Sequence, residues 1–193
     1  MSRPSGKAVR KVVAEGRFLR FVRIGSWEAV ERTSRRPAVG VAALTVDGAI
    51  VLVEQWRPPM GATVIEIPAG LVGDLPGKSR ESSASAARRE LLEEAGFRAA
   101  RLRRACAGPV SPGITDECVE LFVASGCRRV ASGGGEGDEA ITVHVVPLET
   151  AETWLARRER RGTPVDVKVR LAIAVLKAES RLQVRRRPRT IRP

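Results

Sequence analysis

Three carboxylates, Glu90, Glu93 and Glu94, stand within five consecutive residues of the stretch Arg89-Glu90-Leu91-Leu92-Glu93-Glu94-Ala95-Gly96. On a helix, spacings of three and four bring all three acids to one side. Like charges crowded into one turn repel, and these lie toward the helix C-terminus, where the dipole disfavours anions. A divalent cation relieves both penalties. Hard oxygen donors on one face suit Mg2+, with Mn2+ as a substitute, and either ion also bridges phosphate oxygens. Arg89, four residues before Glu93, can orient that carboxylate, and Ala87 and Leu91 supply an apolar stripe beside the acids. Taken alone, the same pattern also describes a solvated acidic helix face.

The chemistry requires a helix at this point, and the sequence supplies one. Ser82 to Ala95 opens on serines that can cap free amides, runs through strong helix formers and stops at Gly96, where a left-handed residue is expected. Upstream, apolar runs from Ala38 to Val46 and Ala49 to Val53 flank Asp47-Gly48, a strong hairpin signal. Arg57-Pro58-Pro59 ends the second strand, because proline donates nothing to a ladder. Thr63 to Ile67 reads as another short strand ending at Pro68-Ala69-Gly70. Residues 9–32 alternate apolar and charged positions, which predicts half-exposed strands with turns at Glu15-Gly16 and Gly25-Ser26. Further strands are expected near 101–107, 118–124 and 140–146, and helices near 149–161 and 166–179. The fold class is α/β, in one domain of ordinary size.

Composition narrows the function classes. The chain has 193 residues, 43% hydrophobic and 29% charged, so neither wholesale disorder nor a fibrous repeat fits. Aromatics make up 4% with no tyrosine, which weakens any single-strand stacking platform. Ten of the twelve excess positive charges fall in residues 1–11 and 181–193, leaving the rest nearly balanced. Such basic tails can meet polyanions, but a solvated arginine-rich tail is the simpler reading. Cys106, Cys118 and Cys127 form no CxxC pair and read as reduced packing residues. Neither a secretory segment nor a bilayer-spanning run is expected, which implies a cytoplasmic protein with no membrane partner.

With its surroundings, the acidic stretch closely resembles the signature of the Nudix hydrolases. Glu81, seven intervening residues, and Arg89 to Phe97 match that signature position for position. The family pattern places a glycine six residues before the glutamate, and here position 75 is Leu. The equivalent is Gly70, with a five-residue insertion, Asp74-Leu75-Pro76-Gly77-Lys78, that should reshape the loop without removing metal ligands. Outside the signature, the resemblance narrows to the ADP-ribose and nucleotide-sugar pyrophosphatase branch over most of residues 25–178. It rests there on Glu54 to Gly61, on Ile65 to Gly70, on Ser111-Pro112-Gly113 fifteen residues past Phe97, on Asp138 to Val146 and on Trp27-Glu28-Ala29-Val30.

The resemblance implies an α/β/α sandwich on a mixed sheet. It divides the chain into an N-terminal β arm over 1–36 for dimerisation and base contact, a hydrolase domain over 37–180 and a flexible basic tail over 181–193. Glu90, Glu93, Glu94 and the Ala69 carbonyl would hold Mg2+. Arg57, fixed by the prolines after it, offers a fork for phosphate. Trp27 would stack on the base, often from the partner of a homodimer, with Gly70, Pro112 and Gly113 also at the substrate. Glu139, on the glycine-rich loop beginning at Gly133, is the preferred general base, with Glu136 and Glu117 as competitors. Trp56, Trp154 and His144 read as structural. The implied reaction cleaves a nucleoside diphosphate sugar, ADP-ribose to AMP and ribose 5-phosphate. GDP-mannose or a UDP-sugar is the alternative substrate, and a non-catalytic polyanion binder a distant one; nucleic acid is not expected as a partner.

Overall fold

The computed structural model describes residues 8–34, 36–75, 77, 79–135 and 140–186, the last six by backbone alone. In chain order the elements are β1 (Arg10–Glu15), β2 (Leu19–Ile24), β3 (Trp27–Arg32), β4 (Ala38–Thr45), β5 (Ala49–Arg57), a 3-10 turn (Pro58–Met60), β6 (Ala62–Glu66), β7 (Ala69–Leu71), α1 (Ser83–Ala95), β8 (Phe97–Arg98), β9 (Arg101–Pro109), β10 (Cys118–Arg129), β11 (Thr142–Pro147), α2 (Ala151–Arg160) and α3 (Val167–Arg186). Among the described residues no helix is long and apolar enough to cross a membrane.

β4 and β5 read as continuous apolar runs because both of their faces are covered. Val39, Val41 and Ala43 of β4, with Val51 and Val53 of β5, pack with Ala87 and Leu91 of α1. The alternate residues Ala42, Ile50 and Leu52 pack with Leu155 of α2 and Val169, Ile173 and Leu176 of α3. The result is an α/β/α sandwich. Burial of a side chain such as Leu91 contributes roughly 1.5–3 kcal/mol, and Leu91 is 1% exposed. β10 runs parallel to β4 and antiparallel to β9, so the large sheet is mixed, in the order β11-β5-β4-β10-β8, with β6 beside β5 and β7 beside β4. Gly48, at φ 79°, makes the turn from β4 to β5.

β1, β2 and β3 form a separate antiparallel sheet. It meets the main body where the Val30 amide donates to the Ile114 carbonyl at 2.8 Å and where Arg32 pairs with Glu117. Its exposed positions include Val12, Val13, Phe18, Leu19 and Trp27.

Several expectations change. Helix α3 runs seven residues past the expected end, taking in 181–186 from the segment read as a flexible tail. Arg181, Leu182, Gln183, Arg185 and Arg186 are helix formers, which favours this extension. Residues 187–193 lie outside the described residues. Trp56 is 58% exposed rather than packed, since alternation along β5 turns it away from the sandwich. Cys127 is buried as expected, whereas Cys106 is exposed on β9 and Cys118 is exposed at the start of β10.

Candidate active site

α1 presents its acids because both of its ends are fixed. The Ser82 hydroxyl accepts the Ser85 amide at 3.2 Å, and Gly96 at φ 76° closes the C-terminus. Beyond it, the amides of Gly134 and Gly135 donate to the carbonyls of Glu94 and Glu93 at 2.9 and 3.2 Å. These bonds satisfy groups that a helix end leaves open. A side chain at Gly133 would have its Cβ 2.5 Å from the carbonyl carbon of Ala95, so only glycine admits the approach.

Glu90, Glu93 and Glu94 line a cleft of about 470 Å3 together with Arg89, Ala69, Gly70 and Arg57. Glu90 and Glu94 are buried, at 7% and 6% exposure. The Glu94 carboxylate accepts the Ala69 amide at 2.9 Å, which ties α1 to β7. The Glu90 carboxylate lies against Gly70, where an added Cβ would sit 1.9 Å from Oε1. Burial pushes the Glu90 carboxyl up to about 7, against the opposing pull of Arg89.

Arg89 gathers the acids. Its Nη1 donates to Glu93 at 2.9 Å and pairs with Glu90 at 2.8 Å, while Nε donates to Glu81 at 3.1 Å and Nη2 to the Leu71 carbonyl at 3.1 Å. Burial would lower its basicity, but the hydrogen bonds to Glu81 and Glu93 more than offset this and hold the guanidinium above its ordinary value. Glu81 in turn accepts the Gly73 amide at 3.1 Å. Of the loop insertion, Asp74 accepts from Arg89 at 3.3 Å and lines the cleft with Leu75, while Pro76 and Lys78 lie outside the described residues. Across the cleft, Arg57 donates to both oxygens of Glu66, at 2.5 and 2.7 Å, and that hydrogen bonding raises its pKa.

The donor set fits a hard divalent cation. Three carboxylates face one cleft, two of them buried, and a carboxyl held near 7 by burial is one that a nearby cation would ionise. Among the described residues, no three acids, histidines or cysteines converge into a ready-made cluster, and Arg89 is the cation that stands between Glu90 and Glu93.

Not every expected residue reaches this wall. Trp27, Pro112 and Gly113 are not among the residues that line the cleft, and the Trp27 indole N–H donates to the Gly113 carbonyl at 3.1 Å. Glu117 does line the cleft, paired with Arg32 at 2.5 Å, whereas Glu136 and Glu139 lie outside the described residues. His144, read from the sequence as structural, bonds Glu54 at 2.6 Å and packs against Trp154. Sequence reasoning missed Arg32, Gln55, Glu66 and Lys168. A visible signal existed for Glu66, an acid set between Ile65 and Ile67 and buried with them.

Comparison with known proteins bears on this geometry. A NUDIX domain model matches residues 34–165. The chain is 35% identical over 150 residues to the ADP-ribose pyrophosphatase of Bacillus subtilis (strain 168), covering 77% of this chain and 76% of that one. It is 31% identical over 147 residues to the methanol dehydrogenase activator of Bacillus methanolicus, covering 76% and 75%. Among solved structures, the crystal structure of an ADP compounds hydrolase shares the fold, with a TM-score of 0.70 at 21% identity over 91% of this chain and 93% of that one.

Proposed function

Since the chain belongs to the Nudix hydrolase family, as a pyrophosphatase, we propose that it hydrolyses the pyrophosphate bond of a nucleoside diphosphate sugar, ADP-ribose to AMP and ribose 5-phosphate, in the cytoplasm. The observation that carries this reading is the meeting of Glu90, Glu93 and Glu94 with Arg57 in one cleft of about 470 Å3. Glu90, Glu93, Glu94 and the Ala69 carbonyl would hold Mg2+, which when bound polarises the pyrophosphate and lowers the pKa of a water. Arg89 keeps Glu93 and Glu90 aimed at the cleft, and its contact with Glu81 braces it against the loop before α1. Arg57 is pre-positioned by Glu66, which takes its Nε and Nη2, and presents its remaining Nη1 donors to phosphate. The water's proton passes to a carboxylate, Glu139 by our reading, with Glu136 and Glu117 as its competitors. Comparing Glu139→Gln, Glu136→Gln and Glu117→Gln at saturating substrate identifies it by the largest loss of kcat.

Trp27 belongs in this scheme through a homodimer, in which it would stack on the base held by the partner. The exposed apolar side chains of the N-terminal sheet support such pairing. Incubation with Mg2+ and, separately, ADP-ribose, GDP-mannose, UDP-glucose and a nucleoside triphosphate tests the assignment. AMP released chiefly from ADP-ribose is expected. Preferential cleavage of another sugar nucleotide would overturn the substrate, and no metal-dependent cleavage of any would overturn the reading.

A further inference from the structure

The carboxylate cleft opens into a second cavity of about 730 Å3, whose walls include Met60, Val64, Pro109 and Leu171. Arg57, Glu66, Val110 and Lys168 line both spaces, so the passage between them carries two cations. Lys168 is fixed there by a short zipper. The Ile65 amide donates to the Pro164 carbonyl at 3.0 Å and the Asp166 amide to the Ile65 carbonyl at 2.9 Å, which binds the start of α3 to β6 beside Glu66. One oxygen of Asp166 then accepts the Lys168 amide at 2.7 Å, and the other pairs with the Lys168 ammonium.

The two cations are not equivalent. Arg57 already gives its Nε and Nη2 to Glu66. An ammonium carries three donors, and the one Asp166 oxygen beside it leaves others for a further acceptor. We propose that Lys168 is a specificity-determining residue that contacts the substrate phosphate lying across the passage, while the carboxylate cleft serves the other phosphate. This rests on the pyrophosphatase reading above. Two phosphates are then recognised by separate parts of the chain, so a nucleoside diphosphate binds through Lys168 and a monophosphate seated at the carboxylates does not.

The test uses the full chain with Lys168→Met, which keeps the length of the stem, and Lys168→Arg, which restores the charge. ADP binding is measured by calorimetry with Mg2+, and KM and kcat are measured on the best sugar nucleotide. Lys168→Met is expected to weaken ADP binding and raise KM about tenfold, with a smaller change in kcat, and Lys168→Arg to recover most of the loss. ADP affinity and KM within twofold of wild type in Lys168→Met would overturn the assignment, as would a fall in kcat at unchanged KM. Should the wild type cleave no sugar nucleotide, the pyrophosphatase reading fails by itself, and the ADP affinities still decide on Lys168.

Discussion

Arg89 and Glu90 are adjacent in sequence yet carry opposite burdens. Arg89 is held charged by the acids around it, whereas burial drives Glu90 toward its neutral form. The folded carboxyl of Glu90 titrates near 7, above its ordinary range, so its stabilising contribution is complete at low pH and is lost as pH rises through 7. In chelator, the Glu90→Gln variant should therefore gain thermal stability relative to wild type between pH 4.5 and 7, and Mg2+ should narrow the gap by favouring the ionised wild-type carboxylate. Melting curves across that range check the sign. Gly70→Ala probes the same side chain sterically. Its Cβ would displace the end of a flexible carboxylate rather than backbone, so turnover should fall by about tenfold or more while the melting temperature changes little. Glu94→Gln should lose about a hundredfold or more in kcat if it holds the cation, with unchanged circular dichroism.

At the scale of elements, α1 depends on the loop that follows β10. Gly133→Val would force a side chain against the Ala95 carbonyl group in a left-handed conformation, and it should lower both the melting temperature and the affinity for Mg2+, read by calorimetry. This clasp was not legible in the sequence, where Gly133 only begins a glycine-rich loop, because a contact distant along the chain leaves no periodic signal. α1 itself was legible, since its caps and its acids are local. So were β4 and β5, whose continuous apolar runs reflect cover on both faces. β7 and β8, of three and two residues, are too short for any alternation to register. Arg32 and Lys168 resemble any surface cation until β3 and the start of α3 are seen to border the cleft.

For the whole molecule, the N-terminal sheet and the turn beside it leave apolar side chains exposed in a single chain. The outward Val12, Val13, Phe18 and Leu19 are expected to be covered in a homodimer, so sedimentation should give twice the mass of the chain. Trp27→Ala should chiefly raise KM if the indole stacks on a base, a contact worth roughly 1–3 kcal/mol. Removing residues 187–193 should leave kcat/KM within about twofold of wild type.

The bonds from Gly134 and Gly135 to Glu94 and Glu93 also make a reporter. Their amide protons should resist exchange with deuterium for as long as the last turn of α1 is formed. Glycine amides resonate in a sparsely populated part of the nitrogen–proton spectrum. Two assignable signals would thus follow cation loading at the neighbouring carboxylates in solution, residue by residue and with no chemistry under way.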